Sequence, residues 1–151
     1  MILVETETIM PYPIEDVFAL TVDLQKAPRW HNVLTDIRQL TANPIGAGSR
    51  WKIGYGVGSF ELEIVDYQPP NKVVFKGSAL FMGTVPNFTV ELETMPEGQG
   101  TRLRYIAHPH IPRLWRPLMS VLGPAWGRRD LARYFREFET MLALQREQVR
   151  R

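Results

Sequence analysis

The chain has 151 residues, which is enough for one apolar core, and we expect residues 1–151 to form a single domain. It contains no cysteine, so disulfides, thiolate zinc sites and cysteine nucleophiles are excluded. The formal net charge of +2 is unevenly distributed: residues 1–110 carry nine Lys/Arg against twelve Asp/Glu (−3), and residues 111–151 carry nine Arg against four acids (+5).

The first residues lack the basic segment and the long apolar run of a secretory signal peptide. No apolar stretch of the sequence approaches the length of a membrane span. We therefore expect a cytoplasmic protein.

The N-terminal part predicts a strand followed by two short helical elements. Residues 2–10 are rich in β-forming residues and lead into Pro13, which suits the first turn of a helix. Glu15 and Asp16 follow where the helix dipole favours acids, so a helix of about ten residues is predicted. Asp23 is a candidate cap for a second short turn.

The central part predicts an antiparallel meander of six or seven strands joined by short turns. Apolar and charged side chains alternate along it, which predicts one apolar face and one charged face. Gly54 to Gly58 is glycine-rich, but a strand follows it and it lacks the Lys-Ser/Thr of a phosphate loop, so we interpret it as a hairpin turn. The predicted strands lie near residues 31–41, 51–55, 60–64, 73–77, 88–92 and 103–107.

The C-terminal part predicts a long amphipathic helix that begins near Pro124, with a length of about 39 Å. One stripe of this helix comprises Leu131, Phe135, Phe138, Leu142 and Val149, with Gln145 in the same register and Tyr134, Met141 and Leu144 beside it. No helix of similar length precedes it. Its apolar stripe is therefore expected to lie across the apolar face of the sheet.

The alternation also predicts which side chains face inward. These side chains either fill a solid core or line a cavity, and the residue types do not distinguish the two. Tyr105 is the polar member of the set, and its buried phenol requires a hydrogen-bond partner, either a ligand or a structural neighbour. The inward set is Trp51, Ile53, Phe60, Leu62, Phe75, Phe88, Val90, Leu103 and Tyr105, with Phe135, Phe138 and Leu142 from the helix.

The order of elements, β–α–α–β(six)–α, and several short motifs resemble the START-like (SRPBCC) superfamily and, within it, polyketide cyclase/dehydrase-like proteins. The motifs are residues 13–18, Asp23 with Trp30, residues 48–51, residues 67–70 and residues 100–105. The resemblance implies an α+β helix-grip fold, with a curved antiparallel sheet of six to seven strands wrapped around a long C-terminal helix and two short helices after the first strand.

This resemblance also implies a deep apolar cavity that binds lipids, polyketides or other hydrophobic molecules, with Trp30 added to the inward set as a lining residue. It supplies no universal catalytic motif, so we predict no catalytic residue. Binding or transport of a hydrophobic small molecule is the first hypothesis, and a cyclase, aromatase or dehydrase acting on such a molecule is the alternative. An enzyme needs a positioned acid or base, whereas a carrier needs only shape and a polar anchor.

Other kinds of site have weaker support in the sequence. His108 and His110 share one face of an extended segment and would form a metal site with His31, but Pro109 and the lack of a nearby carboxylate argue against it. We predict no metal, no cofactor and no nucleic-acid partner. The oligomeric state is not indicated.

Two further hypotheses concern the C-terminal segment. Arg128, Arg129, Arg133 and Arg136 provide a basic surface for peripheral contact with an anionic membrane. Gly123 and Pro124 interrupt the helical pattern, so residues 111–122 are a candidate lid with its hinge at these two residues. Trp115 would then lie against the ligand.

Overall fold

The structure is a computed structural model that describes residues 4–26, 34–55, 58–79, 87–109 and 116–150. Its elements follow the predicted order along the chain. They are β1 Val4–Met10, α1 Ile14–Val22, β2 Leu34–Gln39, β3 Arg50–Tyr55, β4 Gly58–Gln68, β5 Lys72–Ala79, β6 Phe88–Glu97, β7 Gly100–Pro109 and α2 Arg116–Arg150.

The seven strands form one antiparallel sheet in the order β1-β7-β6-β5-β4-β3-β2. Neighbours in sequence are neighbours in space, except that β1 closes against β7. α2 contacts β1 and α1, and α1 contacts β6 and β7, so both helices lie on the same face of the sheet. This arrangement confirms the predicted α+β helix-grip fold.

The region after α1 matches the expected second helical element as far as it is described. The Lys26 amide donates to the Asp23 carbonyl at 3.1 Å and to Asp23 Oδ1 at 3.3 Å, so Asp23 caps this turn as predicted. The rest of that element, at residues 27–33, lies outside the described residues.

The predicted start of the C-terminal helix was wrong. α2 begins at Arg116, so Gly123 and Pro124 lie within it, and its 35 residues give a length of about 52 Å. Pro124 removes one backbone hydrogen bond, but the remaining turns are sufficient to carry the helix past it. Pro117, in the first turn, marks the actual start, because proline is well tolerated there. A hinge formed by a helix break at these two residues is therefore excluded.

The apolar stripe of α2 is narrower than predicted. Leu131, Tyr134, Phe138 and Leu142 are buried, but Leu144 is 48% exposed. Leu144 lies two residues, or about 200°, beyond Leu142, which places it on the solvent side of the helix.

The outer face of the sheet carries the predicted charged side chains, and many of them are paired across strands. Arg102 contacts Glu7 at 3.1 Å and Glu97 at 3.2 Å, and Lys72 contacts Glu91 at 2.9 Å. Exposed pairs of this kind contribute little stability individually. The stability of the fold therefore comes mainly from the other face, where the apolar side chains of sheet and helices meet.

A β-bulge in β4 changes which side chains face the helices. The register shifts between Ile64 and Asp66, so Tyr67 instead of Asp66 shares the inner face with Ile64. The ring of Tyr67 lies 5.7 Å from the ring of Phe18 in α1. The bulge thus contributes an aromatic contact between the sheet and α1.

Gly100 tests how closely β7 approaches the end of β1. A Cβ atom at Gly100 would lie 2.4 Å from the Met10 carbonyl oxygen, and a backbone atom cannot move away as a side chain can. We expect Gly100→Ala to lower the free energy of unfolding by about 1–3 kcal/mol in urea denaturation.

Gly46→Ala is the matched control, because its Cβ would meet only the Tyr67 ring at 3.9 Å, an ordinary contact. Equal stabilities for the two variants would contradict this account of the β1–β7 approach.

Candidate ligand-binding site

The predicted lining residues that the structure describes all lie on the inner face of the sheet or on the facing side of α2. They are Trp51 and Ile53 on β3, Phe60 and Leu62 on β4, Phe75 on β5, Phe88 and Val90 on β6, Leu103 and Tyr105 on β7, and Phe135 and Phe138 on α2. Trp30 and Trp115 lie outside the described residues. The assignment of Trp30 and Trp115 to the lining therefore remains a prediction.

The sheet register explains how residues far apart in sequence come together. Trp51 pairs with Leu62, and Ile53 pairs with Phe60. The Trp51 ring reaches across β4 to within 6.1 Å of the Phe75 ring. This side of the interior is therefore a continuous aromatic and aliphatic surface.

On the helix side, Tyr134 is the centre of an aromatic cluster. Its ring centroid lies 6.1 Å from that of Tyr105 on β7 and 5.7 Å from that of Phe138 one turn further along α2. The rings are tilted by about 60° and 56°, the edge-biased geometry that aromatic pairs favour. This cluster joins α2 to the sheet.

The inner face is fully buried at its centre and partly exposed at the end where β6 begins, which we call the open end. Trp51, Leu62 and Leu103 are at most 1% exposed. Phe88, at the start of β6, and Ala107, near the end of β7, are only partly buried. The two side chains lie at the same end of the sheet, because Val90 pairs with Ala107. The inner face is therefore partly exposed to solvent at this end.

Phe88 occupies its place because Gly77 lies opposite it. The two residues are paired across β5 and β6, and a Cβ atom at residue 77 would lie 2.3 Å from the Phe88 ring. The Phe88 ring also meets the Phe60 ring edge-on at 5.6 Å. The glycine thus lets an aromatic ring lie flat over the strand next to the open end.

The phenol of Tyr105 is the titratable group of the predicted lining. Burial raises the pKa of Tyr105 far above its ordinary value of 10, and the neighbouring Tyr134 raises it further. At neutral pH the hydroxyl is therefore protonated and able to donate a hydrogen bond. Among the described residues, the buried polar side chains apart from tyrosine are Thr21, Ser49, Thr94 and Thr101, and none of these is charged.

The described residues contain no group of three or more His, Asp or Glu side chains with the arrangement of a metal site. His108 is partly buried near the end of β7, but His31 and His110 lie outside the described residues.

Several interior residues were not among the predicted lining, although the sequence contains a signal for some of them. Ile64 and Leu92 are fully buried and continue the same alternation as Phe60 and Val90. The inward position of Tyr67 has no such signal, because a bulge breaks the alternation before it. The surroundings of Tyr67 are formed by α1, the loop at residues 43–45 and the turn at residues 67–70, and these three segments are separate in the sequence.

Comparison with known proteins identifies the family of the chain. A family profile described as "Polyketide cyclase / dehydrase and lipid transport" matches residues 1–143. The chain belongs to this family. The predicted membership of the START-like (SRPBCC) superfamily is thereby confirmed. No curated protein matches the chain in sequence.

Several solved structures share the fold of this protein at low sequence identity. A protein of unknown function from Staphylococcus aureus, SA2116, has a TM-score of 0.69 and 13% identity, over 95% of this chain and 94% of its own. TTHA0849 from Thermus thermophilus has a TM-score of 0.65 and 19% identity, over 94% and 97%. DynU16, a protein of the dynemicin biosynthetic locus, has a TM-score of 0.55 and 20% identity, over 88% of this chain and 46% of its own.

Neither α1 nor α2, within the described part of the chain, contains an apolar stretch long enough for a transmembrane helix.

The raised pKa of Tyr105 predicts a loss of stability in alkali. Below pH 10 the phenol is protonated in both the folded and the unfolded chain, so it does not change stability with pH. Above pH 10 the unfolded chain releases this proton and the folded chain keeps it, so the free energy of unfolding falls by about 1.4 kcal/mol per pH unit from this group.

We expect urea unfolding between pH 9 and 11 to show a shallower decline for Tyr105→Phe than for wild type. Tyr12→Phe, which removes a phenol from a partly exposed position, is the matched control. The same slope in wild type and Tyr105→Phe would contradict the raised pKa.

Proposed function

We propose that this protein binds a hydrophobic small molecule between the inner face of the sheet and α2, with the whole chain acting as one binding domain. The observation that carries the proposal is the partial exposure of Phe88 and Ala107, at one end of an otherwise buried apolar face that α2 covers. A ligand that enters there meets Phe60 first and the Tyr105 phenol next.

Distances along the strands support this path. Tyr105 and Ala107 lie on the same face of β7, about 7 Å apart at 3.3–3.4 Å per residue. The Tyr105 hydroxyl is therefore within reach of a ligand that occupies the open end. A carbonyl or hydroxyl oxygen on the ligand would accept a hydrogen bond from it, since the phenol is protonated at neutral pH.

The same chemistry favours binding over catalysis. A cyclase or dehydrase needs an acid or base whose pKa lies near the working pH. Tyr105 has a pKa raised well above that range, and no buried Asp, Glu, His or Lys lies among the described residues. A polar anchor in an apolar surface is what a carrier or sensor requires.

The anchor can be tested with the neutral fluorescent ketone Prodan, whose emission shifts to the blue in apolar surroundings. We expect saturable binding to wild type and a weakening of up to about tenfold for Tyr105→Phe, because one hydrogen bond contributes about 0.5–1.5 kcal/mol.

Tyr67→Phe is the matched control, since its ring lies beside α1 rather than at the open end. Normal Prodan binding by a Tyr105→Phe protein with a markedly lower melting temperature would assign Tyr105 a structural role instead.

We also propose peripheral contact of α2 with anionic membranes. Arg128, Arg129 and Arg136 are exposed and carry no described ion pair, whereas Arg133 contacts Glu137 at 3.3 Å. The basic surface expected from the sequence is thus reduced to these three arginines. A membrane would be the source or destination of an apolar ligand.

The cytoplasmic location expected from the sequence stays a prediction.

Vesicle co-sedimentation tests this contact. We expect binding to phosphatidylserine-containing vesicles that weakens with added salt, and no binding to pure phosphatidylcholine. Replacing Arg128, Arg129 and Arg136 with Gln should weaken binding at least about tenfold, because each basic side chain near an anionic surface contributes independently.

The control is a triple variant with the same loss of charge, in which Gln replaces Arg38, Lys52 and Lys76 on the sheet. Equal sedimentation with both vesicle types, or equal loss in both triple variants, would remove the proposal.

A further inference from the structure

A surface depression lies at the opposite end of the sheet from Phe88 and Ala107. It has a volume of about 710 Å³ and lies between α1, the loop at residues 43–45 and the turn at residues 67–70. None of the residues predicted to line the interior borders it. It is therefore a separate site, with its own shape and chemistry.

The floor of this depression is apolar. Phe18 and Val22 of α1 contribute from one side, and Ile45 and Tyr67 contribute from the other. Tyr67 reaches this position through the bulge in β4, and its ring rests 5.7 Å from the Phe18 ring. Phe18 and Val22 are buried, so the floor is fixed by the core beneath it.

The walls are held in place by hydrogen bonds that do not involve a ligand. The Gly46 amide donates to Ser49 Oγ at 2.9 Å, and Gln39 Nε2 donates to Asn43 Oδ1 at 3.0 Å. On the other side, the Thr94 hydroxyl donates to the Pro70 carbonyl. The depression therefore exists before any ligand arrives, which lowers the entropic cost of binding.

The charged side chains among the described residues that border the depression are acidic. Glu15 lies in the first turn of α1 and Asp23 directly after its last residue, and no Lys, Arg or His of the described part of the chain borders the depression. Asp23 uses one oxygen to cap the turn at Lys26. The Glu15 carboxylate makes no ion pair or hydrogen bond with any residue in the described part of the chain.

We propose that this depression binds a small organic cation with an apolar body. The volume lies within the range of about 300–1,000 Å³ that is typical of small-molecule sites. The apolar body would pack on Phe18, Ile45 and Tyr67, and the cationic group would pair with Glu15. A neutral molecule of the same shape gains only the apolar contacts, and an anion is in addition repelled by the carboxylates, so the site selects for positive charge.

Three probes with the same aromatic body test this selection: 2-phenylethylammonium, 2-phenylethanol and 3-phenylpropanoate. We expect saturable NMR shift changes at Val22, Ile45 and Tyr67 with the cation. Its affinity should exceed that of the alcohol by about two- to fivefold, the contribution of a partly solvated ion pair, and this preference should decrease with added salt. The anion should bind weakest.

Two pairs of variants locate the site. Glu15→Gln should abolish the preference for the cation, whereas Asp16→Asn, at an exposed neighbour that does not border the depression, should retain it. Ala19→Phe should block all three probes, because the exposed Ala19 borders the depression, whereas Ala143→Phe on α2 should not.

Equal affinities for the three probes, or the same preference in Glu15→Gln as in wild type, would overturn the proposal. So would an absence of saturable shifts at Val22 and Ile45, or shifts confined to Leu103 and Phe88 in the interior. Tyr105→Phe should leave cation binding unchanged, so failure of the interior site and failure of this site are separately visible.

Discussion

The contact between the aromatic side chains of α2 and the inner face of the sheet is the interaction on which the rest of the structure depends. The sheet has one apolar face to cover, and a helix in a protein gains most of its stability from packing its apolar stripe, so each element supplies what the other lacks. Tyr134 of α2 joins the two elements through its contact with Tyr105 of β7. Without this contact, the part of the apolar face that α1 does not cover would be exposed to water.

The same contact explains the chemistry available to the site. Packing α2 over β7 removes water from Tyr105, which raises its pKa and keeps its phenol protonated at neutral pH. Charged side chains lie on the outer face, where cross-strand pairs such as Arg102 with Glu7 remain in solvent. The protein therefore presents an apolar interior with a hydrogen-bond donor.

The sequence predicted the interior well because period-two alternation directly reflects which face of a strand is buried. Trp51, Phe75 and Leu103 could be placed on that basis alone. Prediction failed where geometry departs from regular periodicity. The helix continues through Gly123 and Pro124 because the turns around them outweigh one lost hydrogen bond, and Tyr67 faces inward only because of a bulge. The depression beside α1 was not foreseen at all, since it forms only when α1 packs against two distant turns.

A double-mutant cycle of Tyr105→Leu and Tyr134→Leu, measured by urea unfolding, tests most directly whether this aromatic contact holds α2 on the sheet. The account predicts that the two changes are not additive, with a coupling free energy of about 0.5–1.5 kcal/mol, as expected for aromatic rings in contact. Losses that add within about 0.3 kcal/mol would show that the two rings do not stabilise each other, and would contradict the account.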